Sequence, residues 1–405
     1  MLKNYRDYFL NFLTSLSYLI SQIAILFYFS KYIGIEETGY YSMSIAISAP
    51  LFMLANFQLK WVLATEKTSN FTKISSYFHF RFLSSSISLI VLLIYICFYS
   101  DDIRFQYIFI LVLLTKYFES LSDLNYGYLQ LHENFSPILF SVALKSFIAL
   151  VSIFFDYYFF RDYRVLLFLN GLSYLIFFIY EYRKYIKINY AVGSFINNIK
   201  LIFYKYWKFA IVSFFYSLRI NFPRVILGQI SVMSLGVFST LSYLNYGSNF
   251  IFGSLSEVSN VKIKSERKLN PILILIFKFC IFSFLYSISV YLFLFFFKNQ
   301  LFKLLFKNLP DVSDLTINLV LLNGLLLNII LVLDNMYMIF RFKNHIVRLM
   351  ILESLVLLIF LFFSKNKNLD NILIIQNCIT FCFIFVTLFV FIKAFNKRPI
   401  NKSWD

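Results

Sequence analysis

Runs of about twenty apolar residues recur along nearly the whole chain, the length that crosses a bilayer core at a rise of 1.5 Å per residue. Read between polar breaks, they predict about twelve spans. These cover 9–32, 40–64, 80–100, 105–131, 136–158, 163–182, 206–230, 236–258, 271–297, 315–339, 346–363 and 371–392. Of the 405 residues only 14% are charged, against roughly 25% in soluble proteins. A soluble globular class is therefore excluded. The runs lack the roughly ten-residue alternation of a membrane barrel. The expected class is an all-α polytopic membrane protein, with almost no room for a soluble domain.

The net charge of +17 places Lys and Arg in cytoplasmic loops and implies no nucleic-acid partner. Lys3, Arg6, Arg81, Arg183 and Lys184 fall on the predicted inner side. Glu36, Glu37, Asp101, Asp102, Asp156 and Asp162 fall on the outer side. Both termini are thus expected in the cytoplasm. The first run is too long for a cleavable signal peptide. Cys97, Cys280, Cys378 and Cys382 lie within apolar runs and read as small core residues.

The basic break at 183–205 reads as a cytoplasmic linker between two six-helix bundles, 1–182 and 206–405, the second ending in a basic cytoplasmic tail. An offset of 197 residues supports two related halves: it carries Gly39 onto Gly236, Tyr41 onto Phe238 and Ser42 onto Ser239. Both halves begin inside, so the repeat is parallel. Ser136-Pro137 and Asn270-Pro271 place a capping residue before a proline and read as span starts, whereas Pro50, which the same offset carries onto Gly247, and Pro223 interrupt predicted spans. Paired helix breakers in corresponding halves mark a transporter's working helices, which makes both candidate hinges.

Trp207 to Ile230 carries Arg219, Asn221, Pro223 and Arg224 in one apolar run. An arginine at the bilayer centre costs about 2.5–3.5 kcal/mol on insertion scales. Proline adds a missing backbone donor, leaving the Arg219 carbonyl free. Such a helix reads as the wall of a polar cavity. Arg219 and Arg224 are roughly 140° apart on a regular helix, so they share one cavity only if Pro223 unwinds or kinks it. Lys60, Lys116, Lys145 and Lys278 are the other cations inside spans; Lys60 and Lys278 can snorkel to an interface. Asn221 and Asn245 add neutral polar groups. Deep acids are Glu119, Asp123 and Asp334. Lys116, Glu119 and Asp123 share one helix face, continued by Tyr126 and Gln130. This stripe reads either as a self-satisfied ion pair or as a titratable carboxylate in a cavity. Excess cations suit an anionic ligand, and guanidinium matches phosphate.

Catalytic and metal motifs are missing. His79, His132 and His345 lie at predicted inner loops, and no acid stands five residues after any of them. No phosphate loop, metal cluster or nucleophile elbow is present. No enzymatic activity, metal or organic cofactor is expected.

The turn containing Gly34, Glu36, Glu37, Gly39, Tyr40 and Tyr41 resembles that of Wzx-type oligosaccharide flippases, in the polysaccharide transporter family of the multidrug/oligosaccharidyl-lipid/polysaccharide exporter superfamily. Asn56, Phe57 and Gln58 lead into Lys60 as in that family, with Gln58 where Gly is usual. Tyr128, Gln130, Glu133 and Asn134 are similar to its stretch between spans four and five. Asn221 to Gly228 is similar to its span-seven segment, with Pro223 where Asp is usual.

The resemblance implies a MATE-like V of two six-helix bundles in a bacterial inner membrane. It implies alternating-access export of a polyprenyl-diphosphate-linked oligosaccharide for O-antigen, lipopolysaccharide or capsule, with proton or sodium coupling. Membrane lipids, a polysaccharide polymerase and chain-length proteins would be partners. Arg219, Arg224, Lys116, Lys145, Asn221 and Lys60 would bind substrate, and Glu119, Asp123 and Asp334 would couple the ion. A multidrug or cation antiporter would need a net acidic cavity. A membrane glycosyltransferase or polymerase would need a large outer loop, and neither feature is seen. Deep charge argues against an inert scaffold.

Overall fold

The computed structural model describes residues 2–64, 71–185, 195–243, 269–307, 310, 312–339, 342–364 and 368–396. Regular structure among the described residues is entirely helical. The helices are α1 (Leu2–Tyr28), α2 (Ile35–Asn56), α3 (Leu59–Ala64), α4 (Phe71–Tyr99), α5 (Ile103–Leu131), α6 (Ser136–Phe155) and α7 (Tyr163–Tyr185). They continue as α8 (Phe195–Ile230), α9 (Val232–Tyr243), α10 (Leu269–Leu305), α11 (Asp314–Ile339), α12 (Lys343–Phe363) and α13 (Leu369–Asn396). Five-residue π-helical turns, Phe29–Ile33 and Asp156–Phe160, extend α1 and α6.

Ten helical segments among the described residues are long and apolar enough to cross a membrane. Two others account for the expectation of about twelve. Helix α5 has 29 residues but carries Lys116, Glu119 and Asp123. Helix α9 is described only to Tyr243, so Asn245, Gly247 and most of the predicted span 236–258 lie outside the described residues.

Contacts divide the chain into two compact units, Met1–Val237 and Phe238–Asp405. In the first, α5 packs against α2, α3, α4 and α7, α1 packs on α6, and α8 packs on α2 and α4. In the second, α11 packs on α10, α12 and α13. Helix α8 therefore groups by contact with the first unit, and residues 195–205 of the expected linker are helical.

Several expectations are corrected. Arg81, assigned to an inner loop, is 1% exposed inside α4. Asp156, assigned to an outer loop, is buried; Tyr28 Oη donates to it at 2.7 Å and the Asp162 N–H at 2.8 Å. Both donors reach carboxylate oxygens that a polar loop would have left to water. Cys97, Cys378 and Cys382 are exposed, on helix faces away from the packing, and Cys280 is intermediate. Pro137 does start α6, but the capping position is Phe135, which makes no side-chain cap, so Ser136 is not the cap. Helices α2 and α8 run through Pro50 and Pro223 as continuous helices. The unwinding that would turn Arg219 and Arg224 to one side is not seen.

The break in the second span falls later than Pro50. Phe57 and Gln58 both adopt left-handed backbone, with φ of 48° and 50°, between α2 and α3. Hydroxyls from neighbouring helices cover the polar groups there. Ser84 Oγ donates to the Ala55 carbonyl at 2.8 Å, and Ser120 Oγ to Asn56 Oδ1 at 2.6 Å.

The start of α2 crosses the start of α9 with backbones in contact. A Cβ on Gly39 would lie 2.1 Å from the Val232 carbonyl oxygen, and one on Gly236 would lie 2.2 Å from that of Ile35. The offset of 197 residues that relates Gly39 to Gly236 also relates Ile35 to Val232. Each glycine thus meets the repeat mate of its partner's contact, as a local two-fold requires. Gly39→Ala and Gly236→Ala are each expected to cost about 1–3 kcal/mol through overpacking, read as lowered thermal midpoints in detergent. Gly171→Ala, whose nearest neighbour would be the Thr115 hydroxyl at 3.1 Å, should cost less.

At the same end of the first unit, Arg104 pairs with Glu36 at 3.1 Å and with Asp102 at 3.3 Å. Asp102 caps α5 through the Arg104 N–H at 2.8 Å and accepts from Tyr40 Oη at 2.7 Å. The Tyr40 hydrogen bond, then Arg104, holds the Asp102 carboxyl below its ordinary value. Its contribution to stability is therefore complete above the ordinary carboxylate pKa and is lost as pH falls through the lower folded value. Asp102→Asn should flatten the acid side of a thermal-midpoint-versus-pH curve, between about pH 5 and pH 2.

Candidate functional site

Helix α5 concentrates the charge of the first unit. Its turns carry Lys116, Glu119, Ser120, Ser122, Asp123, Asn125 and Tyr126, and between them these meet polar groups of α1, α2, α3, α4, α6 and α7. The one-face stripe of Lys116, Glu119 and Asp123 is present as predicted, and its groups are paired. Lys116 Nζ lies 2.7 Å from Glu119 Oε2, and Tyr18 Oη of α1 donates to Glu119 Oε1 at 2.8 Å. One turn on, Asp123 receives Lys60 Nζ of α3 at 3.0 Å and faces Arg81 Nη2 of α4 at 3.9 Å. Gly127 permits this approach, because a Cβ there would stand 2.8 Å from the Lys60 carbonyl oxygen.

The most enclosed group is Lys145 of α6, whose side chain is 3% exposed. Its ammonium donates to Glu181 Oε1 of α7 at 3.1 Å, Tyr126 Oη at 2.8 Å and Ser122 Oγ at 3.2 Å. The rings of Tyr126 and Tyr174 lie 5.2 Å from the ammonium and that of Phe177 lies 5.8 Å away. Glu181, 1% exposed, also accepts from Ser141 Oγ and from Asn125 Nδ2, the latter at 3.0 Å. All three hydrogen positions of the ammonium and both carboxylate oxygens are thereby engaged. In a buried pair so saturated, the mutual attraction and the hydrogen bonds offset the desolvation penalty that an isolated buried ion bears uncompensated.

Arg219, Asn221 and Arg224 of α8 are each buried. The Arg219 guanidinium lies 5.3 Å from the Tyr216 ring centroid. Asn221 Nδ2 donates within its own helix, to the Ser217 carbonyl at 2.9 Å. Asp334 is buried on α11 in the second unit, where the Asn323 and Asn377 amides bond at 2.9 Å. Lys116, Lys145, Lys60, Glu119 and Asp123 are thus gathered on and around α5, whereas Arg219, Asn221 and Arg224 belong to α8 and Asp334 to the other unit.

Glu181 and Arg81 were not legible as deep charges. Glu181 adjoins the basic Arg183 and Lys184, and Arg81 adjoins a basic break, so both read as interfacial. A signal was available in periodicity. Asn170, Tyr174, Phe177 and Glu181 recur at three- and four-residue steps, as do Arg81, Ser85 and Ser88. Glu353, buried on α12 and well inside the predicted span 346–363, is a further deep acid absent from that reading. No group of three or more His, Cys, Asp or Glu residues among the described residues could hold a metal ion.

The chain has the fold of multidrug-exporter and lipid-flippase membrane proteins. It superposes on lipid II flippase MurJ in an inward closed conformation with a TM-score of 0.73 and 16% identity, covering 96% of this chain and 89% of that one. An inward-facing MATE family multidrug resistance transporter of the MOP superfamily gives 0.69 at 12% identity, covering 94% and 96%. These structural neighbours are transporters and a flippase rather than enzymes. The capsular polysaccharide biosynthesis protein CapF of Staphylococcus aureus is 24% identical over 249 residues, 58% of this chain and 60% of CapF. The match thus spans less than two thirds of that relative's length. No protein-family model matches the chain. The relatives agree with the resemblance to Wzx-type flippases.

Removing one member of the Lys145–Glu181 pair should expose its cost. Glu181→Gln leaves a buried ammonium without its counter-ion and is expected to destabilise by about 3–5 kcal/mol. The double variant Lys145→Met/Glu181→Gln should recover most of that loss in thermal unfolding.

Proposed function

We propose that this chain moves a polyprenyl-diphosphate-linked oligosaccharide across a bacterial inner membrane, for surface polysaccharide synthesis, with both termini cytoplasmic. The observation that carries this reading is the excess of cations among the first unit's helices. Lys60, Arg81, Lys116, Lys145, Arg219 and Arg224 outnumber Glu119, Asp123 and Glu181, even with Asp156 added. A cavity formed by such helices favours a diphosphate or acidic sugar. An exporter of cationic drugs would want the opposite balance. The MurJ fold and the CapF likeness support the same substrate class.

In this reading, Arg219, Arg224 and Asn221 meet the substrate from α8, and Lys116, Lys145 and Lys60 set the positive potential of the first unit. Glu119, Asp123 and Asp334 carry a coupling proton or sodium. Pro223 and Pro50 supply bending points, since each removes a backbone donor from its helix. A polymerase and chain-length proteins act on the product at the outer surface.

Expression in flippase-deficient strains of several glycan types provides the test. Surface polysaccharide is expected to return in at least one of them. Arg219→Ala/Arg224→Ala should lower that export by about tenfold or more, as expected for lost charge-assisted bonds, at unchanged protein level in the membrane. Full export by the double variant would remove α8 from the substrate path. Failure of the native chain in every strain, despite insertion, would overturn the assignment.

A further inference from the structure

Arg81 is the one buried cation described above whose hydrogen-bonding capacity is unused. It is 1% exposed, and neither Nε nor either Nη has a hydrogen-bond partner. Its nearest anion, Asp123 Oδ2, is 3.9 Å away, beyond hydrogen-bond reach. The other Asp123 oxygen holds Lys60 at 3.0 Å. One carboxylate therefore stands between two cations, tight to one and loose to the other. Exposure differs in the same sense. The Lys60 and Asp123 side chains are 33% and 32% exposed, whereas Arg81 is closed in behind them.

The backbone around the trio is fixed. Lys60 follows the left-handed pair Phe57 and Gln58, and its main chain is pressed against Gly127. Phe57 packs edge-on against Phe80, beside Arg81, with ring centroids 4.8 Å apart. The four-carbon stem of Lys60 carries its ammonium out from that backbone to Asp123.

Building on the reading above, we infer that Lys60, Asp123 and Arg81 form a receiving site for the phosphate of an anionic ligand, with the Asp123 carboxylate holding the ligand's place. When Lys60 turns to an incoming phosphate, Asp123 does not become an unpaired charge, because Arg81 stands ready to take it. That counter-ion in reserve lowers the cost of releasing Lys60, which would otherwise be the cost of breaking a pair. No covalent step is involved. Lys60 touches the ligand, and Arg81 acts as a positioning residue through Asp123.

Trp61, adjoining Lys60 and 51% exposed, supplies a native reporter once Trp207 and Trp404 are changed to Phe. Binding is measured by its fluorescence in the full chain in nanodiscs, with farnesyl diphosphate and inorganic pyrophosphate as probes. A saturable change is expected with farnesyl diphosphate. Competition by pyrophosphate assigns recognition to the diphosphate itself; no competition assigns it to a lipid-linked phosphate. Lys60→Met should weaken binding about tenfold or more, the scale of a charge-assisted hydrogen bond. Asp123→Asn should tighten it, because the built-in competitor is gone. Arg81→Gln should weaken it, since Asp123 then holds Lys60 alone, and Arg81→Gln/Asp123→Asn should restore at least the original affinity. Arg81→Lys retains the charge and should keep most of the affinity, which separates the charge effect from misfolding.

A merely structural ion pair predicts instead that Asp123→Asn and Lys60→Met weaken binding alike. That result, an unchanged affinity in Arg81→Gln, or no saturable change with either probe overturns the inference. Loss of the binding signal with polysaccharide export intact rejects this site alone. Binding without export in any strain rejects the flippase reading alone.

Discussion

The first unit depends on keeping the charges of one helix away from lipid. In hydrocarbon, Lys116, Glu119 and Asp123 of α5 would each cost several kcal/mol, so α5 is stable as a spanning helix only inside a shell of other helices. The shell supplies matching groups at each level: Tyr18 from α1 for Glu119, Lys60 from α3 and Arg81 from α4 for Asp123. Asn125 and Tyr126 reach further, to Glu181 on α7 and Lys145 on α6. Packing order follows from this, since α1, α2, α3, α4, α6 and α7 each place a polar group against one on α5. The outward faces, rid of that duty, are free to be apolar. Phe82, Ile87, Ile90 and Ile94 of α4 are all exposed, as a lipid-facing surface requires.

The same constraint explains what was readable beforehand. Apolar length locates most spans, because the bilayer imposes one thickness on all of them. The charge stripe on α5 was also readable, since side chains at three- and four-residue steps must share a face. Partners were not. The ion pair of Lys145 with Glu181 joins α6 to α7, and no local spacing encodes which helix faces which. Arg81 and Glu181 lie close to polar breaks, where a charge can equally reach water. Only their burial distinguishes them, and burial is set by the neighbours. The prolines are legible only as places where a helix can bend, for a related reason. Removing a donor permits a bend, but packing decides whether it occurs, and α8 stays continuous through Pro223.

The internal repeat gains physical content at the glycine crossing. A weak likeness of Gly39 to Gly236 says little, because glycine is common in membrane helices. Their contacts say more. Each glycine lies against the carbonyl of a residue that is the repeat equivalent of its partner's neighbour. Two copies of one ancestral turn packed against each other would produce this reciprocity. The contact also selects for glycine at both positions at once, because a Cβ on either side would enter the backbone opposite.

The break at Phe57 and Gln58 shows where conformational energy has been spent. A left-handed residue other than glycine costs of order 1 kcal/mol or more, and here two stand in succession. Wzx-type flippases commonly have glycine where Gln58 stands, so this chain tolerates strain that glycine would relieve. Compensation comes from packing: Phe57, Leu59 and Leu63 enter one buried cluster with Tyr77, Phe80, Leu124 and Tyr206. Unbroken helix through residue 58 would rotate and translate Lys60 away from Gly127 and Asp123. The strained turn, the missing Cβ on Gly127 and the hydroxyls of Ser84 and Ser120 therefore act together. Their common result is to set one lysine over one aspartate with a guanidinium behind it.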